Sequence, residues 1–173
     1  MNLRVLIILS LLVGIGTVLH IIVPPIFGMT PDLLLAMMFL GILLFPKLQY
    51  VVVLSGVTAF IAALTTGFPM GEIASIVEKP VAAFAFFGLF LLIRNILDIK
   101  ISSLVLTAIG TIISGIVFLS VGLFVLKADV PAGFLVLLGT VVLPTTLINT
   151  IIMAIIYPIV QTILKRTQPL PTT

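Results

Sequence analysis

The chain has 173 residues, of which 62% are hydrophobic and only 13 (8 Lys or Arg, 5 Asp or Glu) are charged. That is too little charge to coat a water-soluble domain of this size. Apolar runs of about 20 residues, the length of a membrane-crossing helix, recur instead, and they are continuous rather than alternating, which argues against a β-barrel. The fold class is therefore an all-α polytopic membrane protein, a compact bundle for which six transmembrane helices are expected.

The first span is expected over residues 3–23. Its opening, MNLRVLIILSLLVG, has the look of a secretory signal, but the apolar run continues to about Val23 with no small-residue cleavage site, so it reads as a retained helix. Ser10 and Gly14 form a small-xxx-small pair, followed by Gly16 and Thr17. Such a pair lets another helix approach closely, either inside the bundle or from a partner subunit. His20, near the far end, is either a local hydrogen-bonding residue or a contact to ligand or proton.

The second span, 31–45, is opened by Thr30-Pro31-Asp32: a capping hydroxyl, a proline suited to a first helical position and an acid for the first turn. At about 22 Å for 15 residues it is short for a bilayer. The third span is 48–65, with Ser55, Thr58, Ala59, Ala62, Thr65 and Thr66 at helical spacing. The fourth, 80–97, is again started by a proline. The fifth, 101–126, aligns Ser103, Thr107, Thr111, Ser114 and Phe118 on one face. These small and polar rows read as helix–helix seams or as cavity lining.

Pro144 and Pro158 interrupt the last apolar stretch. A short outer helix at 132–143, a final span at 145–164 and a polar tail at 167–173 are expected. Asn149 is the deep amide of this stretch, with Thr145 and Met153 on its face. An amide in hydrocarbon needs a partner, so Asn149 either bonds a neighbouring helix or helps to hold a polar solute.

With the N-terminus in the cytoplasm, Arg4, Lys47, Arg94, Lys100, Lys165 and Arg166 fall inside and Lys79 and Lys127 outside. This satisfies the positive-inside rule and returns the C-terminus to the cytoplasm. The formal charge of +3 is thus explained by orientation in a bilayer rather than by nucleic acid. Cysteine is absent, which excludes thiol chemistry, and the single histidine gives no metal-ligand spacing. No nucleotide-binding loop or catalytic triad is present, so neither a catalytic residue nor a cofactor is nominated.

Three outer segments, 20–32, 67–80 and 126–134, are rich in Pro and Gly and are expected to converge over a solute site. The acids suit an ammonium group. Glu78 and Lys79 are neighbours in sequence and are not expected to face one another on a helix. One arrangement offers Glu78 to a substrate amine and Lys79 to its carboxylate; in the other, both only cap the fourth helix at the interface. Phe27, Phe68, Phe84 and Phe87 are candidates for an aromatic wall, or for lipid-facing and core positions.

Two long stretches carry a resemblance. SLLVGIGTVLHIIVPPIFGMTPDLLLAMMFLGILLFP (10–46) and ALTTGFPMGEIASIVEKPVAAFAFFG (63–88) resemble the tryptophan transport protein family (TrpP) of Gram-positive bacteria. That family is in turn similar to the substrate-binding S components of energy-coupling factor (ECF) transporters. The resemblance implies a six-helix bundle in the bacterial cell membrane that takes up tryptophan near its outer face, with no enzymatic activity. It places His20, Asp32, Phe68 and Glu78 in the family-like outer segments; with Lys79 and Asn149, singled out above from their own positions, these are the residues expected to bind substrate. It also implies that Ser10 and Gly14 dock an ECF transmembrane coupling subunit carrying its ATPases. The chain departs from the family pattern at Met70, Glu72 and Glu78, where that pattern has Gly, Gln and Asp. Three alternatives stay open: a solitary secondary transporter, an S component for another aromatic or vitamin-like solute such as nicotinate, and a membrane assembly protein that transports nothing.

Overall fold

The computed structural model describes residues 2–27, 29–96 and 98–167, with side chains up to Leu164. Residues 168–173 of the expected tail, and the side chains of Lys165 and Arg166, lie outside the described residues. The elements, in chain order, are α1 (Leu3–Ile22), α2 (Leu34–Leu44), α3 (Leu48–Thr65), α4 (Gly71–Ile93), α5 (Ile99–Leu119), α6 (Phe134–Leu137) and α7 (Leu143–Thr167). A π-helical segment, Ser120–Val125, prolongs α5, and a second, Leu138–Val142, joins α6 to α7. Among the described residues every regular element is helical.

Five helical stretches are long and apolar enough to cross a bilayer: Leu3–Ile22, Leu48–Thr65, Gly71–Ile93, Ile99–Val125 and Phe134–Leu164. Large apolar side chains stand exposed along all of them, among them Leu11, Phe60, Leu92, Ile101 and Ile155. A continuous apolar exterior of this kind is a lipid-facing surface. Because lipid is as apolar as leucine, close packing holds the helices together rather than exclusion of water.

Packing centres on α2. Its residues Leu34 to Leu43 are all buried, and it contacts α1, α3, α4, α5 and α7. A helix apolar on every side belongs in the middle of other helices. Two glycines let it sit there. A Cβ on Gly16 of α1 would come within 3.0 Å of Leu34 and Met37, and one on Gly41 of α2 within 2.9 Å of Leu54. Phe39 of α2 stacks on Phe86 of α4, with centroids 4.1 Å apart and planes 7° from parallel. Pro31, Asp32 and Leu33 form a non-helical lead-in, so the 11-residue helix is shorter than the expected 31–45.

The fourth helix starts at Gly71, not at residue 80 as its proline suggested. Pro80 lies within α4, where it removes one backbone donor; a bundle interior tolerates this when neighbouring turns adjust. Likewise no break separates a short outer helix from the last span. The chain is helical from Phe134 through Thr167, and Pro144 is the second residue after the π-helical segment Leu138–Val142. The wider turn shifts the hydrogen-bond register just where a residue without an N–H must be fitted.

Candidate functional site

The polar side chains that the sequence could least afford to bury converge at one end of the bundle. There α1 and α3 finish and α2, α4 and α7 begin. Lys79 is 2% exposed and Glu78 1%. The Lys79 ammonium donates to Asp32 Oδ2 in the lead-in to α2, and to Glu78 Oε2 at 2.5 Å. The other Glu78 oxygen accepts from the Ser114 hydroxyl of α5. Asp32 is more open, with its side chain 21% exposed. Its Oδ1 accepts the Leu35 N–H at 3.2 Å, which caps the start of α2.

This arrangement corrects the expectation that Glu78 and Lys79 meet separate partners. They pair with each other, although adjacent in sequence. In a site this dry an unpaired charge is costly, and the long lysine stem can fold its head back beside its neighbour. Nor do they cap the helix at an interface, since α4 begins two turns earlier and both are buried.

His20 reaches the same cluster from the end of α1. Its Nδ1 lies 3.2 Å from the Pro31 carbonyl and 3.7 Å from Asp32 Oδ1. The carbonyl can only accept, so Nδ1 carries the proton in that bond. Asn149 of α7 supports the cluster from behind. Its amide donates to the Asp32 carbonyl at 3.0 Å and lies 3.4 Å from the Thr111 hydroxyl. Asn149 itself is fully buried, and its Oδ1 has no hydrogen-bond partner among the described residues.

A cavity opens onto these groups. It encloses about 550 Å³ of atom-free space, part of it continuous with the outside, and is lined by His20, Asp32, Phe68, Glu78, Lys79, Thr111, Ser114, Phe118 and Thr145 among others. Five of the six nominated binding residues thus share one cavity wall, whereas Asn149 stands behind it. The upper part of the α5 row, Thr111, Ser114 and Phe118, is cavity lining. Lower down, Ser103 and Thr107 are buried outside the cavity lining, and their hydroxyls bond carbonyls of α5 itself.

Phe68 forms the aromatic side. It is 3% exposed, meets Phe118 edge to face at 5.2 Å, and lies over Gly122, where a Cβ would come within 2.9 Å of its ring. The other aromatic candidates are elsewhere. Phe27 and Phe84 are exposed, and Phe87 is half-buried beside the central core. Phe118 was legible only as a member of the α5 row.

The three segments expected to face outward do come together. Met29, Phe68 and Ala132 belong to one buried apolar cluster, with Phe118, Ala128, Val130 and Phe134 against it. Each segment also holds one non-glycine residue in the left-handed region: Phe27 (φ 50°), Met70 (φ 59°) and Lys127 (φ 53°). Glu72 is exposed on the first turn of α4, away from the cavity. Ser10 and Gly14 are distant from the cavity too. Both are exposed on α1, and a Cβ on Gly14 would meet nothing within 4 Å. The close helix approach falls to Gly16 instead.

Comparison with known proteins agrees with the pattern read from the sequence. The model of the family described as "Tryptophan transporter TrpP" matches residues 2–165. The chain belongs to this family. It is 54% identical to a "Probable tryptophan transport protein" of Bacillus subtilis (strain 168) over 167 residues, covering 96% of this chain and 95% of that one. It is 41% identical over 162 residues to a protein of the same description from Clostridium acetobutylicum, covering 93% and 94%. A third, from Clostridium perfringens, is 34% identical over 175 residues, covering 95% of each chain. No solved structure matches the chain.

Proposed function

We propose that this membrane protein takes up L-tryptophan, binding it in the cavity at the outer face of the bacterial cell membrane and releasing it to the cytoplasm. The observation that carries this reading is a buried ammonium and a part-exposed carboxylate set in one cavity wall near an aromatic pair. Those groups answer the two charges and the ring of an aromatic amino acid. The description shared by the three relatives supports tryptophan in particular. In this reading the substrate carboxylate takes the Lys79 ammonium. Asp32, the more exposed of the two acids, takes the substrate amine with His20 beside it. The indole lies against Phe68 and Phe118. Glu78 keeps Lys79 in position, and Asn149 holds the backbone that carries Asp32.

Positive-inside orientation, with both termini in the cytoplasm, puts the cavity mouth outside. A specific observation favours the version in which an ECF coupling subunit and its ATPases drive uptake: Ser10 and Gly14 are exposed on α1, where a partner helix could approach closely. Uptake of labelled tryptophan by cells expressing the chain, with and without an ECF module, tests both statements. Accumulation in either background supports uptake, and accumulation only with the module identifies an S component. No accumulation above control in either rejects the proposal. Competition by nicotinate exceeding that by unlabelled tryptophan would reassign the substrate.

A further inference from the structure

The ionic cluster does not balance. Two carboxylates, Asp32 and Glu78, share one ammonium, Lys79. Among the described residues, those that line the cavity with Glu78 supply no fixed positive charge besides Lys79. Glu78 itself bonds Lys79 of α4 and Ser114 of α5, and the other polar groups lining the cavity are His20 of α1, Asp32 of the α2 lead-in, Thr30, Thr66 just past α3, Ser75 of α4, Thr111 of α5 and Thr145 of α7. With Asp32 and Glu78 ionised and Lys79 charged, these three groups carry one excess negative charge. A zwitterion adds one charge of each sign and leaves that excess unchanged. Water in the open cavity can solvate it, but a bound aromatic amino acid displaces that water, and an uncompensated charge in a dry site is expensive.

We propose that tryptophan binding takes up one proton, carried by Glu78. This rests on the import reading above. When the substrate amine takes Asp32 and the substrate carboxylate takes Lys79, Glu78 is the acid left with a share of one ammonium and a neutral hydroxyl. A hydronium ion from the side on which the cavity opens gives its proton to a Glu78 oxygen: one O–H bond forms on the carboxyl, one breaks on the hydronium, and water leaves. Release of substrate reverses the transfer. A metal cation is the poorer answer to the same imbalance, because the Lys79 head already lies between the two carboxylates a cation would bridge. A carrier working alone would thereby be driven by a proton gradient, and under an ECF module the proton would travel with the substrate.

The test is calorimetric titration of the purified, detergent-solubilised protein with tryptophan, in two buffers of different ionisation enthalpy at one pH. The difference in heat counts the protons exchanged. The expected result is uptake of about one proton per tryptophan bound, kept by Glu78→Asp and by His20→Gln and largely lost in Glu78→Gln. Infrared difference spectra of the wild-type protein need no variant, and a carboxylic-acid carbonyl band should appear on tryptophan addition. Binding without proton uptake, absence of that band, or full proton uptake by Glu78→Gln would overturn the proposal while leaving the import reading intact. Loss of uptake in His20→Gln alone would reassign the proton to the histidine and overturn it equally. Binding that takes up sodium in place of the proton would also overturn it. If tryptophan does not bind at all, the import reading fails and this inference with it.

Discussion

Lys79, buried on α4, forms an ion pair with Asp32, which lies 47 residues earlier in the lead-in to α2. The pair ties the start of the central helix to a neighbouring helix, beside the point where the cavity opens. Structure and the proposed binding of substrate therefore depend on the same contact.

Replacing Lys79 by Met should remove the one ammonium between the buried Glu78 carboxylate and the part-exposed Asp32 carboxylate. Breaking a buried ion pair from one side costs about 3–5 kcal/mol. Thermal unfolding in detergent should fall accordingly, and tryptophan affinity should be lost. Adding Glu78→Gln to Lys79→Met should recover part of the stability without the affinity. An unchanged unfolding temperature in the single variant would mean that the carboxylates are not held by this lysine.

Asn149 should behave as a positioning residue. Asn149→Ala removes the amide that holds the Asp32 carbonyl and leaves that carbonyl without its partner. The expected loss is about 1–3 kcal/mol of stability, with weaker tryptophan binding because Asp32 shifts. Asn149→Gln moves the amide by one methylene and should restore some binding, whereas Asn149→Leu should restore none. Equal binding by all three would separate Asn149 from the site.

Met70 offers a gain. It occupies the left-handed region at φ 59°, which costs a residue with a side chain roughly 1–2 kcal/mol. Met70→Gly relieves that strain but frees the unfolded chain, leaving a net stabilisation of up to about 1 kcal/mol. A lower unfolding temperature for the variant would show that the Met70 side chain holds the turn by contacts that outweigh its backbone strain.

Gly122→Ala should act on Phe68 rather than on the fold. The added methyl meets the ring, the movable end of a side chain, and not backbone. The ring should tilt out of the cavity wall, lowering tryptophan affinity by about 2- to 10-fold, the scale of one aromatic pairing. Unfolding temperature should change little. A large fall in stability with normal affinity would assign Phe68 to the apolar cluster with Met29 and Ala132 alone.

Much of the site was legible because polar groups in so apolar a chain are conspicuous. His20, Asp32, Glu78, Lys79 and Asn149 stood out for the cost of burying them, and the row from Ser103 to Phe118 for its helical spacing. The Glu78–Lys79 pair was not legible, since adjacent residues diverge on a helix and only tertiary burial turns the lysine head back. The α4 boundary was missed because a proline at 80 looks like a helix start, whereas Pro80 sits inside the helix. The depth of α2 was hidden for a different reason. A helix apolar on all sides has the same composition whether lipid or protein surrounds it.

The most direct test is equilibrium competition on the purified protein among tryptophan, tryptamine, which lacks the carboxylate, and indole-3-propionate, which lacks the amine. If Lys79 and Asp32 hold the two ends of the zwitterion, each analogue should bind at least about tenfold more weakly than tryptophan, the scale of one lost charge-assisted hydrogen bond. Lys79→Met should abolish the preference for tryptophan over tryptamine. Equal affinity for all three ligands in the wild-type protein, or no saturable tryptophan binding, would contradict the account.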